Sequence, residues 1–152
     1  MKKMKTVIRN GEDGMIKFAG ELAKKIIEEK KDKEKALVIL LSGDLGAGKT
    51  TFTKGFLKGL GVRGIVTSPT FVLMKKYQLS REAGFKFAYH IDAYRLRDGD
   101  LDVLGWEEII NNPEHIALVE WPERVREAGK VKGIKISFRH KGEEEREAIV
   151  SR

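Results

Sequence analysis

Leu37-Val38-Ile39-Leu40-Leu41-Ser42-Gly43-Asp44-Leu45-Gly46-Ala47-Gly48-Lys49-Thr50-Thr51 is the stretch on which the fold of this chain turns. Gly43 to Thr50 follows G-x-x-x-x-G-K-[ST], the pattern of the phosphate-binding P-loop. Upstream, Ala36 to Leu41 is an all-apolar run of the length and composition of a buried parallel strand. Downstream, Thr50 to Leu60 carries Phe52, Phe56, Leu57 and Leu60 at helical spacing, and Gly61 offers a C-terminal stop. Strand, glycine loop and helix in succession predict an α/β fold around a nucleotide-binding turn.

The residue types suit that chemistry. Gly43, Gly46 and Gly48 let the backbone curl, so that amides of Asp44, Leu45, Gly46, Ala47, Gly48, Lys49, Thr50 and Thr51 face phosphate oxygens. The following helix offers its positive end to the same anion. Lys49 reaches the outer phosphates, and the Thr50 hydroxyl suits the magnesium that accompanies a nucleoside triphosphate.

With 152 residues, the chain is expected to form a single domain spanning 1–152, large enough to bury its own core. It has no cysteine, which excludes a disulfide framework and thiolate metal sites and fits a reducing cytoplasm. The basic N-terminus is not followed by an apolar core, so a signal peptide is not expected. No run approaches the roughly 18 apolar residues of a membrane span. Thirty basic against 23 acidic residues give +7, mainly from Lys2, Lys3 and Lys5, Lys24 to Lys35, and Lys130 to Lys141. Acids are mixed among them and no aromatics interleave for base stacking, so a solvated lysine–glutamate surface is favoured over direct nucleic-acid binding.

Residues 4–9 read as a short edge strand, and Glu12 to Lys30 as an amphipathic helix with Met15, Ile16, Ala19, Leu22, Ala23, Ile26 and Ile27 on one face. Phe71 to Gln78 and Phe85 to Asp92 read as an antiparallel hairpin around the turn Leu79 to Gly84. Asp100 to Asn112 is predicted helical with a break at Gly105. Gly133 to Arg139 and Arg146 to Ser151 form a closing hairpin.

Alternation puts His90 and Asp92 on one face, opposite Phe87, Tyr89 and Ile91, with Tyr94 and Arg95 just beyond. Taken alone, His90 and Asp92 are surface residues of an edge hairpin. Beside a magnesium–nucleotide site, a strand-end aspartate also holds a metal or a water. His115 to Glu120 is a second apolar strand ending in an acid, and such a strand delivers a carboxylate to magnesium in Walker-type NTPases. Asp102 to Gly105 fits D-x-x-G, but no guanine-reading Asn-Lys-x-Asp occurs, so ATP is favoured over GTP. A dinucleotide fingerprint fails because Thr51 occupies the third glycine position.

Four blocks together carry a family resemblance: Ser42 to Phe52, Ser68-Pro69-Thr70-Phe71, His90-Ile91-Asp92-Ala93-Tyr94-Arg95-Leu96 and Leu118-Val119-Glu120-Trp121-Pro122-Glu123. In order and spacing the chain resembles the bacterial TsaE (YjeE) family from about residue 12 onward. It departs at Gly14-Met15, where that family often has a threonine, so the adenine contacts stay unassigned.

The resemblance implies a P-loop NTPase-like three-layer sandwich, with a mixed, largely parallel central sheet and antiparallel hairpin strands. It implies a small ATPase, slow without its partners, that assists threonylcarbamoyl transfer to the adenosine beside the anticodon. The implied partner is a TsaB–TsaD-type complex, with tRNA contacted indirectly, and the implied cofactors are ATP and Mg2+. Carried onto this sequence, Lys49, Asp92 and Glu120 are the catalytic candidates, and Thr50 and Glu120 the metal candidates. Thr70 would be a switch-like residue, and His90, Tyr94, Arg95 and Trp121 would adjoin the site, Trp121 reading equally as a core or interface residue. A nucleotide-gated binding module and a small-molecule kinase are the alternatives.

Overall fold

Alternate side chains of the P-loop strand serve two different cores, which is why that strand is apolar throughout. Ile39 and Leu41 join one buried cluster, and Val38 and Leu40 join another. The computed structural model describes residues 3–29, 32–64, 66 and 73–152. Among these, the strands are β1 (Lys3–Ile8), β2 (Leu37–Gly43), β3 (Met74–Gln78), β4 (Phe87–Asp92), β5 (His115–Glu120), β6 (Ile134–His140) and β7 (Arg146–Ser151). The helices are α1 (Gly11–Glu28), α2 (Lys49–Gly59), α3 (Asp100–Val103), α4 (Trp106–Ile110) and α5 (Arg126–Gly129).

The strands make one seven-stranded sheet in the order β1-β7-β6-β2-β5-β4-β3. Its centre, β6-β2-β5-β4, is parallel throughout, whereas the β1–β7, β6–β7 and β3–β4 pairings are antiparallel. The sheet is therefore mixed, with parallel pairing confined to its middle. Helices α1 and α2 pack together on one face, where Met15, Ala19, Leu22, Phe52 and Phe56 meet Ile39, Leu41, Ile116 and Leu118. Helices α3, α4 and α5 cover the other face over Val38, Leu40, Ala117 and Val119. That second layer does not reach β6, whose Ile134, Ile136 and Phe138 are buried while Lys135, Ser137 and Arg139 are exposed. The clean alternation of β6 is the trace of that one-sided cover.

Several expectations shift in detail. The outer hairpin strand begins at Met74, with Leu73 exposed just before it; Phe71 lies outside the described residues, as does Thr70. Its partner begins at Phe87 instead of Phe85, because Phe85 is drawn into the α1–α2 core at the turn. The break expected at Gly105 is present, dividing Asp100 to Asn112 into α3 and α4, with α4 ending at Ile110. One reading is overturned. β3 is the edge of the sheet, and β4 lies inside it between β3 and β5, so His90 is completely buried and Asp92 half-buried. His90 is not a surface residue.

Candidate active site

Between the end of β2 at Gly43 and the start of α2 at Lys49, the chain makes a tight loop closed by Ala47 N–H donating to Asp44 O at 3.1 Å. Glycines there take a positive-φ backbone that residues with a side chain rarely adopt. Gly43 has φ 141°, and a Cβ on it would meet Phe138 O at 2.6 Å. Gly48 has φ 113°, and a Cβ on it would meet the Met15 side chain at 2.6 Å. Helix α2 has Gly48 as its N-cap, which offers no side-chain cap, and its first turn holds no acid, unlike α1, which carries Glu12 and Asp13 there. Its first amides and positive end are thus left for an anion from outside the helix.

Lys49 is only 5% exposed. Its ammonium donates to Gly43 O and, at 2.9 Å, to Asp44 O, and lies 4.1 Å from the centre of the Trp121 ring. Burial pushes its pKa below the ordinary lysine value of 10.5, and the carboxylates of Glu120, Glu123, Asp44 and Asp92 oppose that only in part. Those four acids are all near enough to act on one buried cation.

The acid partners arrive by strand register. Glu120 ends β5, opposite Leu41 of β2 on one side and Asp92 of β4 on the other. It is 3% exposed. Its Oε1 accepts from the Thr50 hydroxyl at 3.2 Å, which links the strand-end acid to the first turn of α2. Its Oε2 lies 2.5 Å from His90 Nε2. Asp92 Oδ1 accepts from Tyr94 N–H at 3.0 Å.

Trp121 follows with φ 58°, a left-handed backbone that few non-glycine residues adopt. It is held by its N–H donating to Leu41 O at 3.1 Å, and its ring packs edge-on to Tyr94 at 5.0 Å. Arg124 lies over Tyr94 at 4.6 Å, extending the stack away from Lys49. Trp121 is half-buried beside the site and not in the core.

Lys49, Thr50, Asp92, Glu120, His90, Tyr94 and Trp121 therefore converge. Leu45 is 72% exposed, so its side chain points away and only its backbone belongs to the loop. Arg95 is exposed. The sequence did not reveal Ser42 donating to Glu123 Oε2 at 3.3 Å, nor two braces from the closing hairpin. His140 Nε2 lies 3.4 Å from Leu45 O, and Arg146 reaches Gly46 O at 3.4 Å while also bonding Gly142, Glu143 and Glu145 carbonyls. Nothing local marks Arg146, which lies 100 residues from the glycine it holds. A cavity of about 790 Å3 lies elsewhere, lined by Ala36, Val38, Trp106 and Arg126 among others, and no residue of this cluster borders it. Chemistry, not roominess, marks the site.

The donor set fits a hard cation. Thr50 Oγ1 and Glu120 Oε1 are adjacent oxygens, and among the described residues no group of three or more His, Asp or Glu forms a self-sufficient cage. Magnesium commonly binds through one or two protein oxygens plus phosphate and water.

With that geometry in view, the comparisons decide the family. Residues 10–148 match the family model described as Threonylcarbamoyl adenosine biosynthesis protein TsaE. The chain belongs to the TsaE family. That is a family of tRNA threonylcarbamoyladenosine biosynthesis proteins. A TsaE of Bacillus subtilis is 44% identical over 110 residues, 72% of this chain and 66% of that one. A TsaE of Haemophilus influenzae is 42% identical over 114 residues, 74% of this chain and 68% of its own. A TsaE of Aquifex aeolicus is 40% identical over 126 residues, covering 82% and 81%. This TsaE-family chain thus aligns over about two thirds of the length of the Bacillus and Haemophilus relatives. The crystal structure of Bacillus subtilis YdiB superposes with TM-score 0.68 at 28% identity, over 98% of this chain and 84% of that one.

Proposed function

We propose that this chain is a magnesium-dependent ATPase that supports threonylcarbamoyl modification of the adenosine next to the tRNA anticodon, working in the cytoplasm with a TsaB–TsaD-type complex. Residues 1–152 act as one nucleotide-binding domain, and tRNA is met through the partner proteins. The observation that carries this reading is the Thr50–Glu120 contact, which joins the phosphate loop to a buried strand-end carboxylate. Family membership supplies the pathway.

In this reading the amides of Asp44 to Thr51 and the Lys49 ammonium hold the triphosphate. Lys49 exchanges its bonds to the Gly43 and Asp44 carbonyls for phosphate oxygens as the anion enters. Thr50 Oγ1 and Glu120 Oε1 would hold Mg2+. When bound, the ion supplies positive charge that neutralises the phosphates and favours phosphoryl transfer. Asp92, at the same strand level as Glu120, orients the attacking water through the carboxylate oxygen not engaged by Tyr94. Hydrolysis breaks the bond between the terminal phosphate and ADP and forms one to water, whose proton leaves through that hydrogen-bonded carboxylate.

Lys49→Ala and Glu120→Ala test the assignment. Removing one well-placed charge partner costs a few kcal/mol in the transition state, so magnesium-dependent hydrolysis should fall by roughly a hundredfold or more. Unchanged hydrolysis in either variant would overturn it. A nucleotide-gated binding module is the second reading, favoured by Leu45 and Tyr94, 72% and 40% exposed beside the loop. Measuring turnover with and without a TsaB–TsaD-type complex, alongside association in ATP and in ADP, separates the two.

A further inference from the structure

His90 belongs to no motif that binds phosphate, yet it is completely buried at the heart of the site. It lies on β4 opposite Leu118, two residues short of the Asp92–Glu120 pair, so its ring sits on the same sheet face as the Glu120 carboxylate. The contact between them is 2.5 Å, shorter than most N–H···O bonds. Its other ring nitrogen, Nδ1, is buried and has no partner among the described residues. An ionised carboxylate only accepts, so Nε2 carries the proton in this contact.

We propose that His90 is a positioning residue that fixes the rotamer of Glu120, so that Oε1 is held beside Thr50 and toward the cation. The inference rests on the reading of Glu120 as a metal ligand. Its logic is the division of the two carboxylate oxygens. The terminal torsion of a glutamate is soft and broad, so an unanchored carboxylate samples many orientations. Here Oε2 is tied to His90 and Oε1 is left with the Thr50 hydroxyl. The two anchors come from different elements, β4 and α2, so together they fix both the position and the twist of the group. A ring that served only to fill space would be apolar; burying a nitrogen without a partner at Nδ1 is the cost of presenting Nε2–H to Glu120. Partners that orient a metal ligand commonly change metal affinity 10–100-fold when removed.

The test measures binding of Mn2+, as a stand-in for Mg2+, to the complex with AMP-PNP, a non-hydrolysable ATP analogue, by electron paramagnetic resonance. His90→Leu should raise the Kd for Mn2+ by about 10–100-fold while AMP-PNP affinity in EDTA stays within about twofold. His90→Gln, whose amide nitrogen reaches where Nε2 stands, should recover most of the affinity. His90→Asn, whose amide falls one methylene short, should not. The Gln/Asn pair decides the matter even if the Leu variant fails to fold, because the cavity that Asn leaves is read separately, as a loss of Tm and of AMP-PNP affinity in EDTA, from the loss of Mn2+ affinity. Wild-type Mn2+ affinity in both His90→Leu and His90→Asn, with Glu120→Ala losing it, would overturn the positioning role and leave the metal ligand standing. Wild-type Mn2+ affinity in Glu120→Ala would overturn both.

Discussion

Replacing Lys49 with methionine should abolish nucleotide binding while leaving the nucleotide-free fold close to its original stability. The two effects have different origins. In the free protein the ammonium is buried, and burial depresses its pKa despite four neighbouring carboxylates. The charge is therefore a net cost to the folded state, which methionine removes at similar length. Against this stand the contact with Trp121 at 4.1 Å and the bonds to two loop carbonyls. A cation–π contact of a desolvated ammonium is worth about 2 kcal/mol, part of which the methionine thioether recovers against the same ring, and carbonyls on an exposed loop regain water. The sum should lie within about 1 kcal/mol of zero, or about 2–4 °C in Tm for a chain of this size. By contrast, ATP at a hundred times its Kd stabilises the wild type by about 2.7 kcal/mol, or about 5–11 °C, and Lys49→Met should lose that shift.

Thermal melts with and without Mg-ATP read both quantities. The pH dependence adds a third. Because the folded-state pKa of Lys49 is below 10.5, the unfolded chain binds more protons between the two values. Wild-type stability relative to Lys49→Met should therefore rise as pH increases through the depressed pKa towards 10.5. A full ATP shift in the variant, or a nucleotide-free loss above about 2 kcal/mol, would refute the reasoning.

Three further outcomes follow from other parts of the structure. Phe52 is fully buried against Phe18, Phe56 and Phe138, with ring centres 5.5–6.1 Å apart, so Phe52→Ala should lower unfolding free energy by about 3–5 kcal/mol in urea titrations. Arg146→Ala removes the brace on Gly46 O and should weaken ATP binding by about two- to tenfold in calorimetry, the worth of one modest hydrogen bond. Burial pushes the Glu127 carboxyl up, but backbone N–H groups, including those of Gly99 and Leu101, outweigh it and hold the group below its ordinary 4.5. Its contribution is complete above that value and lost as pH falls through the lower folded pKa, so Glu127→Gln should cost about 1 kcal/mol at neutral pH and flatten the acid limb.

How much of this was legible depended on how local the cause was. The parallel centre could be read because β2 and β5 are apolar on both faces, and the closing hairpin because only one of its faces is covered. The glycine loop between β2 and α2 could be read because the demand on its glycines is partly local: Gly43, Gly46 and Gly48 take φ of 141°, 76° and 113°, a backbone that side chains disfavour whatever surrounds them. His90 was misread for the opposite reason. Alternation sorted it onto the correct face, but the rule that a polar residue faces water fails where the partner is a carboxylate on a neighbouring strand, 30 residues on. The left-handed Trp121 left no mark either, since nothing in Trp121-Pro122 announces a positive φ. The brace from Arg146 is set by sheet order alone.

The register of β2 against β5 has a consequence for how such a site can change. Lys49 and Thr50 hang from the end of one strand and Glu120 from the end of its neighbour, with Leu41 facing Glu120 in the ladder. Strands slide only in whole residues, and a slip of one would exchange Glu120 for Val119 or Trp121 and turn the acid to the opposite face. The spacing between acid and lysine is therefore quantised. Ala93 N–H donating to Glu120 O at 2.9 Å ties the start of the β4–β5 connection to the same register, so the site admits no half-measures.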